Sequence, residues 1–242
     1  MSGHNKWSQI KRQKGIADQK KGQVFSKFSK NITLAAKEGG GNSDFNFKLR
    51  LLLDREKSAG MPADNIDRAI KRGTGEGKEA QISAAVYEGL GPAGSAFIVE
   101  TATDNTNRAL QEVRQIFIKN NGQLGNSGSV SWMFDHRGLI LATVPRSDLG
   151  NKIRSDLYLA TIDAGALDVK DQAEGLEIYT EPKYLMKVKE AVENAGAKVE
   201  SADISWLAKN PIQPTDAEKE KIEKLAEALE ENDDVVNVYT NL

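Results

Sequence analysis

An α+β fold is what this chain of 242 residues predicts: an N-terminal three-helix domain followed by two α/β sandwich domains, one of them ferredoxin-like and inserted into the other. Three observations predict it. Beyond residue 80 the apolar spacing changes from about 3.6 residues to about 2, which separates a helical leader from a strand-rich body. Residues 139 to 206 then read βαββαβ, the split unit in which two helices cover one face of an antiparallel sheet. Finally, the helix and strand that close the chain lack a sheet of their own, and the nearest incomplete one ends near residue 136. The expected domains are therefore 1–78, 79–136 together with 207–242, and an inserted 137–206.

Residues 1 to about 17 mix Gly, Asn, Gln and Lys with isolated Trp7, Ile10 and Ile16, a pattern too sparse to offset the entropy of ordering, so this stretch is expected to order on binding. From about Asp18 the spacing becomes helical. Val24, Phe25, Phe28, Ile32, Ala35 and Ala36 share one face, Lys20, Lys27, Lys30 and Lys37 the opposite one, and Leu34 alone breaks the pattern. Gly39, Gly40 and Gly41 stop this helix. Ser43 or Asp44 is expected to cap a second helix with the stripe Phe45, Leu49, Leu52 and Leu53, ending at Gly60. Pro62 starts a third, with Ile66, Ala69 and Ile70 inward, Arg68, Lys71 and Arg72 outward, and Gly73 as its end. GTGEGKEA, residues 73 to 80, reads as a linker.

Strands are expected at 84–89 and 95–102 around the turn Gly91-Pro92-Ala93-Gly94, then a helix over about 105–120 capped by Asp104. The Gly-rich NGQLGNSGS leads into a strand VSWMF and a turn at Asp135 to Gly138. The inserted unit follows as strand LILATV, a helix capped by Ser147 and running to about Asp163, strands ALDVKD and LEIYT, a helix over 183–195 and strand KVESADIS. After Pro211 and Pro214, Thr215 or Asp216 caps a helix to about Glu231, and VVNVYTNL ends the chain as a strand.

Charge is divided along the chain. Residues 1–75 carry 16 Lys plus Arg against 7 Asp plus Glu, and residues 76–242 carry 17 against 28, although the whole has a net charge of only −2. The basic pole is sharpest in the first thirty residues, where Lys6, Lys11, Arg12, Lys14, Lys20, Lys21, Lys27 and Lys30 face the single acid Asp18. Such a segment suits phosphates, and His4 and Trp7 add flat rings on which bases can stack. Arg68, Lys71 and Arg72 are further candidates. An anionic lipid surface is the weaker partner, because the apolar face of the first helix has neighbours to pack against.

Other chemistries find little support. Gly89, Gly91 and Gly94 precede a strand rather than a helix, and Gly77-Lys78 is followed by Glu79, so neither forms a nucleotide-binding loop. TDNTNR, residues 103–108, could hold an anion at a helix start, but Asp104 would repel it, and a capped helix is the better account. With no cysteine and two separated histidines, His4 and His136, no metal site is expected, nor any cofactor. Carboxylates are spread over solvated helix faces, so the chain reads as a non-enzyme. No apolar run nears the roughly 18 residues of a membrane span, and a cytoplasmic protein is expected.

GHNKW (3–7), IKRQKG, KEGGGN, MPADNIDRAIKRGTG (61–75), YEGLGPAGSAFIVETATDNTNR (87–108), NGQLGNSGSVSWMF (121–134) and the closing DVVNVYTN together resemble the YebC family over essentially the whole chain. Asn5 stands where the family usually has Ser, and Phe47 where a Pro often precedes the Lys-Leu-Arg stretch. The resemblance implies a cytoplasmic three-domain protein acting as a DNA-binding transcriptional regulator in bacteria. Its mitochondrial relatives act as translational activators, so a ribosome-associated translation factor binding rRNA is the alternative. Protein partners are expected on the acidic domains.

Overall fold

In the computed structural model the described residues are 21–76, 81–144, 151–173 and 175–242. They divide into two compact units, one of the described residues up to Phe134 together with Ala208–Leu242, the other of those within Asp135–Leu207, which interrupts the first in sequence.

The first unit begins with helices α1 (Lys21–Gly39), α2 (Phe47–Ser58) and α3 (Ala63–Thr74). Ile32, Ala35, Leu49, Met61, Ile66 and Ala69 make their buried core, with Phe25, Phe28, Leu52, Leu53 and Ile70 packed around it. The expected stripes therefore meet, with corrections. Phe45 is 88% exposed and contributes nothing to the bundle. Neither Ser43 nor Asp44 caps α2; Asn46 does, its Oδ1 accepting the Leu49 N–H at 3.1 Å while its amide donates to the Ala35 and Gly40 carbonyls, both at 2.8 Å. One side chain thus starts α2 and closes α1.

Gly73 does not end α3. The helix runs to Thr74 and is capped by Gly75 in the left-handed conformation (φ 85°). At Gly73 a Cβ would lie 2.4 Å from the Thr33 carbonyl oxygen and 2.7 Å from the Ala36 Cβ, so this glycine lets α3 touch α1.

Leu34 also has its reason. It joins Ile82, Ala102 and Val236 in a separate buried cluster, so α1 packs on the helices with one face and on a sheet with another. That sheet has the order β3-β1-β2-β8, built from β1 (Ser83–Leu90), β2 (Ala96–Thr103), β3 (Gln123–Leu124) and β8 (Val235–Thr240). All neighbours are antiparallel, with Gly89 opposite Phe97 and Val99 opposite Val238. Helices α4 (Thr106–Lys119) and α7 (Asp216–Glu230) cover one face through Phe97, Val99, Val113, Phe117, Ile222, Leu225 and Leu229. The cap of α4 is Asn105 rather than Asp104, its side chain accepting the Arg108 N–H at 3.0 Å. Thr215 and Glu218 form a reciprocal capping box on α7.

The second unit runs β4 (Phe134–Thr143), α5 (Asn151–Asp163), β5 (Ala166–Gln172), β6 (Gly175–Thr180), α6 (Leu185–Asn194) and β7 (Lys198–Ala208), with sheet order β5-β6-β4-β7. This is the ferredoxin-like arrangement. Two expectations around its start fail. VSWMF is not a strand, because Ser131–Met133 is a 3-10 turn, and Asp135–Gly138 is not a turn, because β4 passes through it with Gly138 opposite Thr180. His136 consequently lies on a strand, its ring 4.7 Å from that of Trp206. Ser147 lies outside the described residues.

Candidate nucleic-acid interface

His4, Lys6, Trp7, Lys11, Arg12, Lys14 and Lys20 lie outside the described residues, and Lys21 is described only as the first position of α1. Lys27 and Lys30 depart from expectation. On α1, residues 23, 27 and 30 recur at helical spacing and turn toward the bend between α7 and β8. Gln23 donates to Asp233 Oδ1 at 3.4 Å, Lys27 Nζ donates to the Glu230 carbonyl, and Lys30 Nζ donates to the Asp233 carbonyl at 2.7 Å. Lys30 also pairs with Asp234 at 2.7 Å. The physical reason is local: Glu230 ends α7, where carbonyls lack helical partners and a cation is favoured. Both lysines are half-buried, with their ammonium groups bonded at this bend.

Asp234 is the node of this bend. Its side chain is 7% exposed and also accepts from Arg108 Nη2 and Thr103 Oγ1, each at 2.8 Å. Burial alone would raise its pKa; the bonds from Lys30, Arg108 and Thr103 outweigh that and hold it below the ordinary aspartate value. Arg108 in turn reaches Asp104 at 2.9 Å, so TDNTNR carries its own carboxylate partners, as a capped helix start rather than an anion site. A hollow of about 330 Å³ beside it is lined by Gln23, Arg108, Glu112, Glu231, Asn232, Asp233 and Asp234. A carboxylate kept ionised by two cations and a hydroxyl suits an internal tie, not a proton-transfer group.

On α3, Arg68 and Lys71 are exposed and Arg72 is half-buried. The Arg68 guanidinium donates to Asn65 Oδ1 and to the Asp64 carbonyl, the latter at 3.3 Å. Lys71 and Arg72 occupy the last turn, where they complement the helix dipole.

Sequence reasoning missed Glu88. It is 6% exposed on β1, and its carboxylate accepts backbone N–H bonds from Gly128, Val130 and Ser131, each at 2.8 Å. Burial pushes its pKa up, but these three bonds prevail and lower it. The Glu88 carbonyl also accepts from Gly125 at 2.8 Å, so one residue fastens both ends of the Gly-rich loop. The loop leads directly to Trp132, which is 67% exposed. An acid inside an otherwise neutral strand, followed by a loop rich in glycine and small polar residues, was the available signal.

Comparison with known proteins agrees with this architecture. Residues 5–76 match the TACO1/YebC protein N-terminal domain, and residues 82–242 match the TACO1/YebC second and third domain. The chain belongs to the TACO1/YebC family. Among its relatives is a probable transcriptional regulatory protein of Caldanaerobacter subterraneus subsp. tengcongensis, 48% identical over 242 residues, covering 100% of this chain and 98% of the relative. Another, from Geotalea uraniireducens and of the same description, is 47% identical over 100% of this chain and 95% of its own. The crystal structure of a conserved hypothetical protein from Aquifex aeolicus is similar at a TM-score of 0.81, with 40% identity over 93% of this chain and 91% of that one. Within the TACO1/YebC family, then, this chain pairs a basic N-terminal domain with the second and third domains.

Proposed function

We propose that the protein is a nucleic-acid-binding regulator of gene expression, a DNA-binding transcriptional regulator that grips the phosphate backbone with its basic N-terminal segment. The observation that carries this reading is the charge partition, with eight bases against one acid in the first thirty residues. After Lys27 and Lys30 are set aside, Lys6, Lys11, Arg12, Lys14, Lys20 and Lys21 remain for phosphates, His4 and Trp7 for stacking, and Arg68, Lys71 and Arg72 as a second basic group on α3. The naming of close relatives as probable transcriptional regulatory proteins supports the regulatory role. The acidic remainder stays off the polyanion and offers itself to protein partners. The protein acts as a binder and not as an enzyme, consistent with carboxylates tied into ion pairs and backbone bonds.

A second reading, a ribosome-associated translation factor, draws on the aromatic residues of the basic segment, which suit irregular RNA better than duplex. Competition decides between them. A duplex-DNA complex that withstands excess ribosomal RNA is expected for a transcriptional regulator, and preferential capture by ribosomal RNA, with co-sedimentation on ribosomes at low salt, overturns that choice in favour of the second.

A further inference from the structure

We infer that Trp132 is a base-stacking platform for an unpaired nucleobase, a second contact separate from the basic segment; this rests on the nucleic-acid reading above. The indole is 67% exposed although its surroundings are tightly bonded. Its Nε1–H donates to the Ser129 carbonyl at 3.0 Å, its own carbonyl accepts from Lys209 Nζ at 2.9 Å, and the Lys209 N–H donates to the Met133 carbonyl at 2.9 Å. The residue before it, Ser131, is fixed to Glu88 at 2.8 Å. The ring is anchored through its Nε1–H, and the backbone on either side of it is bonded as well.

The chemistry of the presented group narrows its occupant. The single donor of the indole is consumed within the loop, so what the exposed ring offers a partner is apolar surface. The neighbouring loop side chains, Asn126, Ser127 and Ser129, are small, polar and uncharged, and the Glu88 carboxylate bonded to this loop has its charge met by three N–H groups. Lys209 adds a cation at the Trp132 carbonyl. A flat apolar face with uncharged donors and acceptors around it and a nearby cation fits a base and its phosphate. Duplex stacking buries base faces, so the base must be unpaired, in RNA or in opened DNA.

The test is fluorescence anisotropy with the full-length protein and labelled hairpins carrying an unpaired loop, beside blunt duplexes of equal charge, each made as RNA and as DNA. Trp132→Ala is expected to weaken hairpin binding about 5- to 100-fold while leaving duplex binding and the salt dependence unchanged. Trp132→Phe, which keeps a ring, is expected to restore most of the affinity. Whichever hairpin, RNA or DNA, shows the larger loss identifies the source of the base. Equal affinity of Trp132→Ala and wild type for every hairpin overturns the inference, as does an equal loss on hairpin and duplex that phenylalanine fails to rescue. In those cases a Lys11→Glu/Arg12→Glu/Lys14→Glu variant that loses binding leaves the nucleic-acid reading standing. Wild type that binds none of the probes overturns both.

Discussion

Two buried carboxylates decide most at the scale of single residues. Asp234 answers Lys30 and Arg108 together, and Glu88 answers three backbone N–H groups, so removing either charge deprives several donors at once of their shared acceptor. Asp234→Asn is expected to destabilise the first unit by about 2 kcal/mol in a urea titration, with the midpoint falling and the slope unchanged. Both carboxyls titrate below their ordinary values in the folded protein. Their contribution to stability is therefore complete above the unfolded-state values of about 4, and it is lost as pH falls through the lower folded-state values. Thermal melts of Asp234→Asn and Glu88→Gln across the acid range should show a shallower decline than wild type. A decline as steep as that of wild type would mean other carboxylates control acid unfolding.

At the scale of elements, two glycines close together at the end of α3, one inside the helix and one capping it, do different work, and substitution separates them. Gly73→Ala drives a methyl group against the backbone of α1, with the Thr33 carbonyl 2.4 Å from the new Cβ, so a loss of about 3 kcal/mol is expected. Gly75→Ala meets no neighbour within 4 Å but must hold a left-handed φ of 85°, which costs about 1 to 2 kcal/mol. Comparing their unfolding midpoints checks the order; a harmless Gly73→Ala would mean that the helices slide apart cheaply. The same pair shows what the sequence disclosed. Periodicity revealed the α3 stripe of Ile66, Ala69 and Ile70 because one face sufficed, yet a glycine near a helix end reads as a stop whether it terminates the chain's turn or admits a neighbour. Leu34 looked like an error in α1 for a related reason: a helix with two partners has two apolar faces, and one-face periodicity counts the second as noise. The βαββαβ order was legible since every element had its own apolar run. Ser131–Met133 was not, because a valine and two aromatics beside glycines resemble a strand until the Glu88 bonds bend them. In the candidate interface, charge spacing singled out the lysines but could not reveal that Glu230, Asp233 and Asp234, some two hundred positions away, would bond Lys27 and Lys30.

For the whole molecule, that claim changes what salt should do to binding. Ion-pair counting with Lys6, Lys11, Arg12, Lys14, Lys20 and Lys21 gives about six phosphates, a slope of log affinity against log salt near −5 for duplex and near −4 for a single strand. Duplex affinity is then expected to fall roughly 10³-fold between 50 and 200 mM salt. Reversing Lys11, Arg12 and Lys14 to Glu should flatten the duplex slope by about 3 and leave the unfolding midpoint near that of wild type. Reversing Lys27 and Lys30 to Glu should do the opposite. Those side chains tie α1 to the end of α7 and to Asp234, so like charges placed there repel a buried carboxylate and loosen the helix from the sheet. The midpoint should drop, while the slope measured on the remaining folded protein stays near −5. Binding titrations at several salt concentrations, run beside urea melts of both variants, separate the two groups of lysines. A flattened slope in the Lys27/Lys30 variant with an unmoved midpoint would show that these residues leave the acidic bend when a polyanion arrives, and that the two poles of the chain compete for the same cations.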